Sequence, residues 1–578
     1  MSKLSVDQKT IKDLLTDKSA NFLIPDYQRP YAWAEEECQT LWDDIFTFAF
    51  PDENKDEFNT NDEYFLGAIV TFKNNKKQSE VIDGQQRLTT LLLLLRAFYD
   101  KFTSMADNPS KDMMNLISQC IWQTNEFGNA DMSNLKIDSE VATDDEKQEF
   151  LAILKTGLSN KSMNSNYAKN YIFFESKIAS FIEKFASYLP YFPARILNNC
   201  IVLPIEADSQ DTALRIFSTL NDRGMPLADA DIFKAQFYKF YDSKGSKTEF
   251  IDDWKNLSFK SEKIFHPIYG TPMDELFTKY MYYLRAAEGN KSNSTEALRK
   301  FYGYEKYRRL LSESTITDLS NLVDFWESIY DQNTTKFSEE VLRKLFVLKY
   351  APNGMWEYIT SVYFLSHRDS DCNLDNSDFA VFLSKITSFI FAYALTNPGV
   401  NALRTPVYAE MVKIYNQQQC DFSDYKFNRE HISKVLSNYK FTNNRTVTRS
   451  LLTWYAFTFN DQSRPSNGTG FDIEHIYAKE RHKKENKLQH PDNLEELGNK
   501  ILLEKTINIR ASDYRFADKK RYYMGYIDAN GKKHSKSIIA EFTYLTEKDD
   551  FIEEDIIVRD RNISERFVGY LERENLLA

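Results

Sequence analysis

The chain has 578 residues, more than one hydrophobic core accommodates, so two or three domains are expected. Hydrophobic residues at 42%, charged residues at 27% and aromatics at 15% fit a folded globular protein and exclude a disordered tail. A net charge of −12 excludes a protein that coats nucleic acid indiscriminately, because such binding rests on many Lys and Arg phosphate contacts.

In chain order, "SVDQKTIKDLL" predicts an amphipathic helix, "NFLIP" a short strand ended by Pro25, and "AEEECQTLWDDIFTFAF" a helix with an acidic first turn. "YFLGAIVTFK" and "SEVID" predict two strands joined by the polar turn "NNKKQ". A leucine-rich helix follows, opening on the polar string Asp83, Gly84, Gln85, Gln86 and Arg87. A turn and a cap need far fewer polar groups; if the leucines draw this cluster inward, each donor and acceptor requires a partner. "CIVLPIEA" predicts a further strand, and "DTALRIFSTL" a helix interrupted at "NDRGMP" before "DADIFKAQFYKFY" resumes. Residues 241–440 are mostly helical in pattern, with aromatic stripes such as "FAVFLSKITSFIFAYAL" at core-packing spacing. In the last segment, "FDIEHIY" and "LGNKILLEK" predict two paired strands, with a helix following from Thr506.

Cys38, Cys120, Cys200, Cys372 and Cys420 stand far apart with no C-x-x-C pair, so neither a zinc ribbon nor a disulfide framework is expected, and a reducing cytoplasmic compartment is. The first ten residues hold no apolar signal core, and no run approaches the roughly 18 apolar residues of a membrane span, so no membrane association is expected. Charge is segregated: Glu474 to Lys536 carries fifteen Lys and Arg against ten Asp and Glu in an otherwise acidic chain.

Three ordered blocks, "IPDYQRPYAW" with "VIDGQQRL", the intervening "YFLGAIV", and "FSTLNDRGMPLADADIFKA", resemble the ParB-like nucleotidase domain of GmrSD-type (SspE- and BrxU-like) type IV restriction endonucleases. The resemblance implies nucleotide binding and hydrolysis at the DGQQR segment without a P-loop, and no G-x-x-x-x-G-K-[ST] string is present. Physically, Arg29 and Arg87 can fork onto phosphate oxygens; Gln28, Gln85 and Gln86 can bond phosphate, base or attacking water; Asp83 can hold a cation or orient an arginine. Gly84 relaxes the turn, and a helix opening at Arg87 adds its positive end. Tyr27, Tyr31 and Trp33 either stack on a base or seal the core. Asn221 and Arg223 either stop a helix or extend the site, and Lys234 is either a phosphate contact or a snorkelling lysine.

The string "EHI" followed by "LGNKILLEKTIN" resembles the His-Asn-His (HNH) nucleases, in the variant whose third position is Asn. By resemblance His475 is the general base, Glu474 and Asn508 are metal ligands, and Asn499 holds the loop and orients His475. Oxygen ligands favour Mg²⁺ or Mn²⁺ over zinc. On a strand Glu474 and His475 point to opposite faces unless the backbone bulges. Lys519 and Lys520 of "FADKK", also familiar from this subfamily, are expected on a DNA backbone.

The expected fold is α+β and mostly helical: a ParB-like α/β domain over 1–240, a helical region over 241–440, and a ββα-metal nuclease domain over 441–578. The expected function is a nucleotide-regulated, metal-dependent endonuclease that restricts modified phage DNA, with a nucleoside triphosphate as effector and a homodimer as an open option. A ribonuclease or nickase built on the same hairpin, and a non-catalytic nucleotide-switch scaffold, are the alternatives.

Overall fold

The computed structural model describes residues 5, 6, 8–141, 144–157, 164–209, 212, 213, 216, 228–294, 296–397, 399–511 and 515–578. The chain forms two compact units, Met1–Lys255 and Asn256–Ala578. The fold is the mostly helical α+β arrangement that the sequence predicts, with its large mixed sheet at the N-terminal end.

The first unit contains strands β1 (Ser5–Val6), β2 (Lys9–Thr10), β3 (Phe22–Ile24), β4 (Tyr64–Lys73), β5 (Ser79–Asp83), β6 (Trp122–Thr124), β7 (Ala130–Leu135), β8 (Ile137–Ser139) and β9 (Cys200–Ala207). The main sheet has the order β1-β9-β4-β5-β3-β8, with β2 also on β9; β6 and β7 pair separately. β4 runs parallel to β9 and antiparallel to β5, so the turn between β4 and β5 is a hairpin while β9 returns from far along the chain. The helix expected over "SVDQKTIKDLL" is shorter than the pattern suggests. Lys9 and Thr10 pair with Val202 and Ile201 instead, and Thr10 Oγ1 caps the helix Ile11–Thr16 by accepting from Asp13 N at 3.0 Å.

The helix Gln85–Thr103 is the unit's centre. Leu91 to Leu95 are each at most 1% exposed, which a helix achieves only when packed on all sides. Trp42, Phe98, Phe181 and Phe192 meet edge-on or stacked in the same core. This burial anchors the N-terminal end of the helix, where the polar string lies.

The second unit begins with helices, among them Asn376–Thr396. Its length and mean hydropathy would suit a membrane span, contrary to the expectation that no run comes close; it is mostly buried, with Phe379, Leu383, Ile386, Phe389 and Ile390 at 0% exposure. Strands β10 (Phe471–His475) and β11 (Lys500–Glu504) then pair antiparallel, with His475 opposite Lys500 and Phe471 opposite Glu504. The helix Lys505–Ala511 follows directly, so a strand pair with a helix attached is formed as predicted. The helix Phe516–Tyr523, the short hairpin β12 (Tyr526–Ile527) and β13 (Lys533–His534), and the long helix Glu553–Arg573 complete the unit.

Candidate functional site

In the first unit, β5 ends at Asp83 and Gly84 takes φ +88 before the helix begins at Gln85, two residues earlier than expected. A Cβ on Gly84 would stand 3.1 Å from Ala68 O, so β4 and the turn approach as only glycine allows. Gly67, at φ +120, lies beneath Arg87: a Cβ there would meet the guanidinium carbon at 2.8 Å. Arg87 is half-buried and donates Nη1 to Ala68 O at 2.8 Å; desolvation pulls its pKa down, opposed by Asp83. Burial raises the Asp83 carboxyl, while the Gly84 N–H, Arg87 and Arg29 pull it back. Arg29 is exposed, and among the described residues neither arginine closes an ion pair with Asp83, so two guanidinium groups retain donors for an anion.

The glutamines divide. Gln86 Oε1 accepts from Ala32 N (2.7 Å) and Trp33 N (3.2 Å), and its Nε2 donates to Pro30 O (3.1 Å). Gln86 therefore clamps the loop after β3 and is spent, rather than bonding a nucleotide as expected. Gln85 reaches Arg29 O at 3.4 Å, and Gln28 donates to Val81 O and Ile82 O, which fixes the loop against β5. The aromatics seal the core: Tyr31 stacks on Tyr167 and bonds Thr90 Oγ1 at 2.7 Å, Tyr27 is edge-on to Tyr238 and donates to Glu80, and Trp33 packs against the core. Lys234 is 5% exposed and donates to Gln28 O at 3.3 Å; burial lowers its pKa to about 8, against Asp231 and Asp26. Asn221 and Arg223 lie outside the described residues.

In the second unit, the period of two sorts β10 into two faces. One face carries Asp472 and Glu474. Glu474 is 6% exposed, and its Oε1 accepts from Lys519 Nζ at 2.7 Å and Tyr523 OH at 2.8 Å. Burial raises its pKa, with Lys519 and Tyr523 opposing. Asn508, from the helix Lys505–Ala511, directs Nδ2 toward Asp472 Oδ2 at 3.5 Å. Asp472 is thus an oxygen donor that the motif did not single out, although its place two residues before Glu474 predicts the shared face. Lys519, expected on a DNA backbone, is 1% exposed and also donates to His475 O at 2.6 Å; it is the internal counter-ion of Glu474. Lys520 is half-buried and donates to Lys548 O at 2.7 Å.

The other face carries His475. His475 is the last residue of β10, so alternation separates its side chain from Glu474 only as far as the strand continues, and Asn499 and Asn508 come from outside the strand. The imidazole Nε2 is buried without a hydrogen-bond partner, 3.9 Å from Glu495 Oε1. Desolvation, helped by Lys500 and Lys479 and opposed by Glu495, pushes its pKa down to about 3. His475 is consequently neutral near pH 7, the state in which a ring nitrogen accepts a proton. Glu495 is held by Lys500 Nζ at 2.6 Å and by Lys479.

Asn499 is fully buried, so it positions rather than touches a substrate. Its Oδ1 accepts from Tyr477 N at 2.7 Å and its Nδ2 donates to Tyr477 O and Leu494 O, while Ile476 N donates to Asn499 O. The chain just after His475 is thereby tied to the chain just before β11. Two residues that sequence reasoning missed lock this tie. Arg559, 6% exposed, donates to the carbonyls of Leu497, Gly498 and Lys500 and forks onto Glu541 at 2.6 and 2.9 Å. Gly498 lies against the helix Glu553–Arg573 so closely that a Cβ would overlap Ile556 O. The glycine in "LGNK" was the available signal; no local pattern marks Arg559.

Among the described residues no three His, Cys, Asp or Glu side chains form a metal cage. Two carboxylates on one face of β10 and one amide on the following helix instead supply a partial hard-oxygen set, the kind that Mg²⁺ completes with water and substrate phosphate.

Residues 11–238 match the family model described as the GmrSD restriction endonuclease N-terminal domain, and residues 420–566 match that of the GmrSD restriction endonucleases C-terminal domain. The first match spans the Asp83–Arg87 turn, and the second spans both hairpin faces. The chain belongs to the GmrSD restriction endonuclease family. It is also similar to the uncharacterized protein MJ0686 of Methanocaldococcus jannaschii, with 24% identity over 265 residues, 41% of this chain and 43% of that protein. The chain thus matches less than half of that relative's length.

Proposed function

We propose that the chain is a metal-dependent DNA endonuclease that restricts foreign, modified DNA, cutting at the β10–β11 hairpin under the control of a nucleotide bound beside Asp83 and Arg87. The observation that carries this reading is the His475 imidazole, buried without a hydrogen-bond partner at Nε2 and held at a strand end by the Asn499 tie. A phosphodiester has no easy leaving group, so a divalent ion held by Glu474 and Asn508 would supply charge stabilisation and a polarised oxygen. His475 accepts the proton of the attacking water, with the Glu495 carboxylate, itself held by Lys479 and Lys500, 3.9 Å from its Nε2. Lys519 keeps the Glu474 carboxylate ionised inside the fold.

In the first unit Arg29 and Arg87 grip phosphate oxygens beside the Asp83 carboxylate, which accepts from the Gly84 N–H. The test is cleavage of modified and unmodified duplex, and of purified tRNA, with and without nucleotide and chelator. Cutting of modified duplex alone, lost on chelation and altered by nucleotide, is expected. Cutting of tRNA but no duplex would replace this reading with a ribonuclease. Removing one charged hydrogen-bonding group costs about 1.5–3 kcal/mol, so Arg87→Ala is expected to lower nucleotide affinity or turnover about 10- to 100-fold while the melting curve of the second unit is unchanged. Turnover equal to the parent would remove Arg87 from the site.

A further inference from the structure

Of the lysines first expected on DNA, Lys519 is buried against Glu474 and Lys520 is half-buried on Lys548 O, so the backbone of a bound duplex needs other cations. A cleft of about 400 Å³ in the second unit supplies them. Arg510, Lys532, Lys533 and Lys536 line it, and all four are exposed. None of them is in an ion pair among the described residues, and in a chain of net charge −12 such a group of unneutralised cations needs a reason. The carboxylate in the cleft, Glu504, is already consumed, accepting from Ser537 Oγ at 2.8 Å and Ile538 N at 2.6 Å. Arg464 is likewise committed to Glu339.

The cations are presented on fixed supports. Lys532 and Lys533 sit at the β12–β13 turn, where Asp528 accepts from Asn530 N and Lys532 N and also from His534 Nε2 at 3.0 Å, and His534 stacks on Tyr526. Across the cleft, Ser466 and Thr469 offer hydroxyls, which bond phosphate oxygens without regard to base. Arg510 is on the same short helix as Asn508, which follows directly on β11.

We infer that this cleft holds the sugar-phosphate backbone of the duplex that the hairpin cuts. The inference rests on the nuclease reading above and gives it a direction. Glu504 is opposite Phe471, at the end of the hairpin remote from His475. Four residue steps of about 3.4 Å separate those ends, roughly 14 Å, which corresponds to about four base pairs at ~3.4 Å each. The duplex therefore runs along the hairpin, with its anchored phosphates about four base pairs from the scissile one.

The test is fluorescence anisotropy of a labelled duplex with the full chain in chelator, where no cutting occurs, comparing the parent with a Lys532→Gln, Lys533→Gln, Lys536→Gln variant. The exposed positions leave the melting temperature unchanged. Binding is expected to weaken at least about tenfold, equally for unrelated sequences, and the slope of log K against log salt to become shallower by up to about 3. A variant that binds as tightly as the parent with an unchanged slope overturns the cleft assignment and leaves the nuclease reading intact. A parent that binds no duplex overturns both, and cleavage at the parental rate by a folded His475→Ala protein overturns the hairpin as the cutting centre while leaving the cleft as a duplex-binding site.

Discussion

Lys519→Met is expected to destabilise the second unit by about 3–5 kcal/mol, because it removes the ammonium that compensates a buried carboxylate. Glu474 remains bonded to Tyr523, a neutral donor unable to offset its charge. The sign of the pH dependence follows. Glu474 already has a pKa raised above its unfolded value by burial, and loss of Lys519 raises it further. The folded state then binds more protons than the unfolded state above the ordinary carboxylate range, so the deficit grows as pH rises and shrinks as the solution is acidified. Thermal melts at several pH values check this, and the double variant Lys519→Met, Glu474→Gln should recover most of the loss. A deficit of under about 1 kcal/mol at every pH would show that the buried Glu474 carboxylate does not depend on the Lys519 ammonium.

Gly498→Ala is expected to cost about 3 kcal/mol and to slow cutting about 100-fold. The new methyl group has no space beside Ile556 O and stands 2.8 Å from Asp560 Cβ, so either the long helix or the strand entry must move. Any such movement shifts Asn499 and, through Tyr477 and Ile476, the backbone that carries His475. A displacement near 1 Å in a reacting group is enough for a loss of that size. Urea melts and single-turnover cleavage measure the two effects; normal cleavage from a destabilised protein would detach the tie from the chemistry.

Much of this was legible. Alternation marked β4, β5 and β9, and the leucine run marked a helix too apolar to lie on a surface. The hairpin and its helix followed from "FDIEHIY" and "LGNKILLEK", and the family from its ordered motifs. What failed did so for reasons of tertiary context. β1 and β2 are two-residue strands whose pairing with β9 overrides a helical period. "FADKK" reads as a charged surface run, yet helical spacing places Lys519 with Phe516 and Tyr523 on the buried face, and only the carboxylate of Glu474 makes that burial tolerable. Gln86 looks like a ligand because the loop it clamps is more than fifty positions away in the sequence. Arg559 is just as distant from the carbonyls it holds, so no window of sequence could reveal it.

Cutting at the hairpin requires the imidazole at the end of β10. Single-turnover cleavage of one end-labelled duplex by the parent and by His475→Ala, in the same Mg²⁺ buffer, measures it directly. Loss of a general base lowers such a rate about 10²- to 10⁴-fold, and the variant is predicted to fall in that range while melting and hydrolysing nucleotide as the parent does. Cleavage at the parental rate by a folded His475→Ala protein would contradict the assignment of the hairpin as the cutting centre.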